Sequence, residues 1–203
     1  MSAPLTPSET LFRQRLLACA GLYTGKLDGE WGPKTDAASR AWDAAYAAVR
    51  EQIERFDGRT EATLHTILPA AQRLMRGLLV KLRAAGLDAR AISGTRTYAE
   101  QAELYAQGRG GDGRGTVTNA RPGQSLHNFG IAIDLGLWEG GRYLPDSPLY
   151  GRAGAIGREV VGLEWGGDWR SFKDKPHYQA ATGLSLPQIR AAFEAGRPFL
   201  PVK

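Results

Sequence analysis

The chain has 203 residues, 42% hydrophobic and 23% charged, with a formal net charge of +5. That balance excludes wholesale disorder, and no apolar run reaches the roughly 20 residues needed to span a bilayer. The one cysteine, Cys19, excludes an internal disulfide, so packing must hold the core.

The N-terminal segment Met1 to Glu9 has neither the basic start nor the apolar stretch of a signal peptide, so synthesis in the cytoplasm is expected. Thr6-Pro7-Ser8-Glu9 reads as a capped helix start, and Phe12, Leu16, Leu17 and Ala20 recur at helical spacing up to Gly21. A turn-rich stretch from Tyr23 to Thr35 follows. After it, Trp42, Tyr46, Val49, Ile53 and Phe56 form one apolar stripe, which predicts a long helix running towards Phe56. Asp57-Gly58 breaks that stripe and is the expected boundary between a helical module, residues 1–56, and a second domain, residues 57–203. The next helix is expected near Pro69, with Leu74, Leu78, Leu79 and Leu82 on its buried face and Gly86 at its end. Leu87 to Ile92 predicts a strand. Thr97-Tyr98-Ala99-Glu100 is a second capping box, opening a helix that ends at Gly108.

Arg109 to Gly123 has no period and reads as a mobile loop of functional length. From Gly130 to Leu137 the alternation is strict. Ile131, Ile133, Leu135 and Leu137 share one face of a strand, with Ala132, Asp134 and Gly136 on the other. A helix is expected within Leu149–Val161, a strand and turn over Leu163–Trp169, a strand around His177, and a last helix opened by Ser185 and Pro187.

Only three histidines occur. His127 lies seven residues before Asp134, and small neighbours leave room beside that carboxylate. An aspartate inside an apolar strand is costly unless paired or bound to a cation. Two imidazoles, one carboxylate and a water make a plausible catalytic zinc site, with His177 as the third ligand. By spacing alone, a capping histidine and an arginine-paired aspartate are equally good readings. His65 has no acidic ligand pattern near it and reads as structural. The basic residues are scattered, with no run interleaved with aromatics, so no nucleic-acid partner is expected. The positive balance suits an anionic wall polymer instead.

The segment Ser125-x-His127-x-x-Gly130-x-Ala132-x-Asp134 resembles the zinc-dependent D-Ala-D-Ala carboxypeptidase/L-alanyl-D-glutamate endopeptidase family. So do Gly167-Asp168-Trp169, Asp174-x-Pro176-His177-x-Gln179, and the upstream Ser93-Gly94-Thr95-Arg96-Thr97 with Glu100-Gln101 and Leu104-Tyr105. The likeness covers roughly Arg59 to Gly196 and is strongest to the branch of phage endolysins. It implies one zinc ion held by His127, Asp134 and His177, with Asp174 as general base and Arg96 opposite the oxyanion. Glu164 and Asp168 are rival bases. Ser125, Trp169, Tyr178 and Gln101 are expected to touch substrate. Gly25-x-Leu27-Asp28-Gly29-x-Trp31-Gly32-x-x-Thr35 is similar to the three-helix peptidoglycan-binding domain.

The expected fold is α+β: a small antiparallel sheet flanked by helices and carrying a zinc site, preceded by the small helical module. The expected function is cleavage of the L-Ala–D-Glu bond in the peptidoglycan stem peptide by a monomer that acts on the wall after release, without membrane insertion. A D-Ala-D-Ala carboxypeptidase or dipeptidase, and a non-catalytic zinc-containing wall-binding protein, are the alternatives.

Overall fold

The computed structural model describes residues 4–111 and 113–200; Met1–Ala3, part of the segment read for a leader, and Asp112 in the loop lie outside the described residues. Seven α-helices and a five-stranded antiparallel sheet make up the fold among the described residues. The helices are α1 (Pro7–Cys19), α2 (Pro33–Ile53), α3 (Gly58–His65), α4 (Pro69–Ala84), α5 (Tyr98–Ala106), α6 (Leu149–Gly157) and α7 (Leu186–Glu194). The strands are β1 (Asp88–Ser93), β2 (Ala132–Glu139), β3 (Arg142–Leu144), β4 (Leu163–Trp165) and β5 (His177–Ala180).

Local sequence explains most of the boundaries. Thr6, Thr97 and Ser185 cap α1, α5 and α7, each through a capping box closed by Glu9, Glu100 or Gln188. Two expectations are corrected. The second helix stops at Ile53, and Phe56 lies beyond it, because Arg76 and Glu61 capture the chain there. Arg76 Nη1 donates to Glu54 O at 2.6 Å, and Phe56 N donates to Glu61 Oε1 at 2.8 Å. Asp57-Gly58 is a helix start rather than a bare break: the Asp57 carboxylate accepts the Arg59 and Thr60 amides and caps α3. The short β3, which adds to the sheet beside the far half of β2, was not anticipated either.

The sheet order is β1-β2-β5-β4, with β3 also on β2. Ile133, Leu135 and Leu137 of β2, Ala91 of β1 and Tyr178 of β5 face the core, where Leu78, Leu79 and Leu82 of α4 are buried. The N-terminal helices share this core rather than enclosing one of their own. Phe12 meets Tyr98 and Phe193 at 6.0 and 5.3 Å between ring centroids, and Trp42 Nε1 donates to His65 O at 2.9 Å. Buried Gln14 ties the turn after α1 to it, accepting the Asp28 and Gly29 amides and donating to Asp28 Oδ1. Cys19 is buried, and burial pushes its thiol up to about 12.

Candidate metal centre and cleft

The open face of the sheet carries the site. Alternation along β2 puts Ala132, Asp134, Gly136 and Trp138 on the face opposite the core residues. Pairing brings His177 of β5 directly beside Asp134 and Gln179 beside Ala132. His127 comes from a 3₁₀ turn, Leu126–Phe129, immediately before β2. That turn ends at Gly130, whose φ of +70° favours glycine, and a Cβ there would meet Leu16 Cδ2 at 2.9 Å. Thus α1 packs directly against the turn that aims His127.

Three acceptor atoms converge. His127 Nε2 lies 3.1 Å from Asp134 Oδ1 and 3.1 Å from His177 Nδ1, and His177 Nδ1 lies 3.3 Å from Asp134 Oδ1. The outward nitrogens of both rings already donate. His127 Nδ1 donates to Gly94 O at 2.7 Å. His177 Nε2 donates to Gln179 Oε1 at 3.0 Å, an orientation fixed because the Gln179 amide donates to Glu164 Oε2 at 2.7 Å. A neutral imidazole has one N–H, so both inward nitrogens present lone pairs. Burial holds the His127 pKa low, against the pull of the Asp134 carboxylate, and so favours the neutral ring. The Arg96 guanidinium, which donates to Asp134 Oδ2, favours the ionised carboxylate.

Lone pairs on two buried rings and a partly buried carboxylate, facing one another without a proton between them, favour a cation. Four ligands at about 2.0–2.1 Å in a tetrahedron stand about 3.3 Å apart, close to the three edges seen here. His127, Asp134 and His177 are therefore a set that could hold a metal ion, and their donor chemistry fits zinc.

The cluster opens into a cleft of about 1010 Å³. Asp174 lines it beside His177, partly buried, and its carboxyl is raised by burial and by the negative charge of Asp134. Gly166 makes this approach possible, since a Cβ there would stand 2.5 Å from Asp174 O and 3.0 Å from His177 Cβ. Arg96 Nη2 donates to Asp134 Oδ2 and Nη1 to Gln101 Oε1, both at 3.2 Å, while its buried Nε has no hydrogen-bond partner. Arg96 thus orients the carboxylate in this structure. Gln101 is fully buried and holds Arg96 and the carbonyl of Ala120; it does not face the cleft.

Ser125 and Trp169 line the cleft, with the Trp169 ring 4.9 Å from that of His177. Tyr178 does not. It alternates with His177 along β5, so it points into the core and is 0% exposed. Of the rival bases, Asp168 is paired with Arg158 at 2.6 and 2.9 Å, and Glu164 is engaged by Gln179. His65 stands apart from the cluster, bonded to Asp43. Sequence reading overlooked the support that Gln179 gives His177, although its position two residues along a strand places both on one face. The loop expected over 109–123 forms a wall of the cleft through Thr116 to Ala120, pinned by Arg109 on Thr118 O and Asn119 Oδ1.

Two family models, both described as D-alanyl-D-alanine carboxypeptidase, match residues 118–180 and residues 64–144. The chain is 40% identical over 103 residues to the peptidoglycan L-alanyl-D-glutamate endopeptidase CwlK of Bacillus subtilis (strain 168). That match covers 46% of this chain and spans 61% of the length of that relative. The fold is similar to the L-Ala D-Glu endopeptidase ChiX of Serratia marcescens, at TM-score 0.49 and 25% identity over 66% of this chain and 94% of that one. It is also similar to the vancomycin-resistance D,D-pentapeptidase VanY, at TM-score 0.46 and 18% identity over 66% and 81%. Each family match covers less than half of the chain; together they span residues 64–180, the stretch that contains the whole His127–Asp134–His177 cluster, so it is in this stretch that the chain is similar to the D-alanyl-D-alanine carboxypeptidase family.

Proposed function

We propose that the chain is a zinc endopeptidase that cuts the L-Ala–D-Glu bond of the peptidoglycan stem peptide, as a monomeric lytic enzyme of the phage endolysin type. The observation that carries the reading is the convergence of two buried imidazoles and a partly buried carboxylate in an open cleft. The Bacillus relative, a peptidoglycan L-alanyl-D-glutamate endopeptidase, supports the choice of bond. No helix among the described residues is long and apolar enough to cross a membrane.

In this reading His127, Asp134 and His177 hold one zinc ion. Bound zinc supplies Lewis-acid polarisation of a carbonyl and acidifies water to a pKa of about 7. The chain's own residues do the rest. Asp174 accepts a proton from the attacking water on a carboxylate oxygen and returns it to the leaving nitrogen; its raised pKa suits both halves of that task. Arg96 keeps Asp134 oriented, and its positive charge at the edge of the cleft favours the developing oxyanion. Ser125 and Trp169 border the substrate.

Residues 1–56, in this reading, bind the wall through the turn that presents Trp31, 47% exposed. Because α1 and α2 share the peptidase core, a point substitution tests this better than truncation. Trp31→Ala should lower the fraction of protein that sediments with purified wall, and undiminished sedimentation removes the role.

Mass spectrometry of wall digests tests the activity. Zinc-loaded protein should release fragments with new amino-terminal D-Glu, and chelated protein should release none. Loss of terminal D-Ala alone would replace the endopeptidase by a carboxypeptidase. No zinc-dependent product would leave a wall-binding protein.

A further inference from the structure

The face of the sheet that carries the metal cluster continues past it. Along β2, Asp134 is followed on the same side by Gly136 and Trp138, and pairing sets Arg90 beside Gly136, with Asp88 and Tyr143 beside Trp138. These residues form a stack. The Arg90 guanidinium lies 4.7 Å from the centroid of the Trp138 ring, and the rings of Trp138 and Tyr143 are 5.1 Å apart. The stack is folded down over the strand: a Cβ on Gly136 would meet the Trp138 ring at 2.6 Å and that of Tyr143 at 3.0 Å. Glycine is thus what lets two aromatic rings lie on the open face. Arg90 is fixed by two bonds to Asp88, at 2.9 and 2.7 Å. Tyr143 is 42% exposed, and the side chains of Arg90 and Asp88 are 37% and 47% exposed.

We infer that this Arg90–Trp138–Tyr143 ledge is a saccharide subsite that holds the muramic acid ring of the glycan strand while the attached stem peptide lies in the cleft. This rests on the peptidase reading above. A pyranose ring offers an apolar face to an aromatic ring and hydroxyl and acetamido groups to charged neighbours. The ledge supplies that combination: ring surface, flanked by a carboxylate and a guanidinium whose geometry is already set. Spacing agrees with it. Asp134 and Trp138 are four residues apart on one strand, about 13 Å. In the substrate, L-Ala is joined to muramic acid through a lactyl ether. Two links of about 3.5 Å each plus the width of a sugar ring therefore separate the L-Ala carbonyl from the far edge of the saccharide. The two faces are continuous, with Ile92 of β1 bordering the cleft between them.

The test uses full-length zinc-loaded protein and two substrates with the same stem peptide, one carrying its disaccharide and one released from it. Wild type should favour the sugar-bearing substrate in kcat/KM by roughly tenfold, the size of one or two good aromatic contacts. Trp138→Ala and Tyr143→Ala should each move that ratio towards one, through KM. Independently, N-acetylglucosaminyl-N-acetylmuramic acid alone should shift the indole NMR signal of Trp138, and Tyr143→Ala should weaken the shift. Exposed Tyr143 is the variant that keeps the test valid if Trp138→Ala fails to fold. A substrate ratio near one in wild type, or an indole signal moved by the free peptide and not by the disaccharide, overturns the subsite. If neither substrate is cleaved, the peptidase reading fails, while the disaccharide titration still decides the ledge.

Discussion

Asp174→Asn should lower kcat on a soluble stem peptide by about 10²–10⁴-fold, the usual contribution of a positioned acid–base group, while metal content stays at the wild-type level. The separation of the two effects follows from placement. Asp174 lines the cleft, but the acceptors that converge belong to His127, Asp134 and His177. Asparagine keeps the shape of the side chain and loses only the ability to take a proton. The backbone bonds that fix this turn, Asp174 N to Gly166 O and His177 N to Asp174 O, do not involve the side chain. Steady-state rates together with metal analysis of the purified variant check the expectation. A variant that turns over near the wild-type rate removes Asp174 as the base and returns Glu164 to consideration.

The second large effect is on stability. Glu61→Gln should cost about 3–5 kcal/mol, read from the midpoint of urea unfolding, because it leaves the guanidinium of Arg76 buried without its counter-charge. Arg76 is fully buried. It donates to Glu61 Oε1 and Oε2 at 3.0 and 2.6 Å, to Glu54 O, and to Gln72 Oε1 at 3.2 Å. Glu61 also accepts from Tyr46 Oη and from the Phe56 amide. One ion pair therefore ties together the end of α2, α3 and α4. Burial pushes the Glu61 carboxyl up, but the bonds from Arg76, Tyr46 and Phe56 outweigh it and hold it below 4.5. A depressed folded pKa means the contribution is present above pH about 4.5 and lost as pH falls through the folded value. Wild type should lose stability across that acid window more steeply than Glu61→Gln does. Parallel acid curves, or a loss under 1 kcal/mol, would show that the pair contributes no more than an exposed one.

Much of the site could be read from the sequence because it is built on strand alternation. The period of two from Gly130 to Leu137 already put Asp134 on a face of small residues opposite the core, and the antiparallel register then brought His177 beside it. The same period separates Tyr178 from His177, so the expectation that Tyr178 touches substrate conflicts with the strand expected there. Capped helices were equally readable, since Thr6, Thr97 and Ser185 act within four residues of themselves.

What escaped depends on distant partners. The early stop of α2 is set by Arg76, 22 residues beyond Glu54. The eight residues of α3 are too few to show a period, and its cap, Asp57, was read only as a break. Nothing local says that Phe12 packs on Phe193 or that Leu16 presses on the turn bearing His127. The contact of Arg96 with Asp134, likewise, spans 38 residues, and no local pattern reveals it.

Competitive titration with zinc against a chromophoric chelator, on wild type and on His127→Ala, tests the central claim most directly. Wild type should take up one equivalent. The variant should bind more than about a hundredfold more weakly, beyond the 10–100-fold that outer partners of a metal ligand carry. Zinc uptake by His127→Ala at the wild-type affinity, or none by the wild type, would contradict the account.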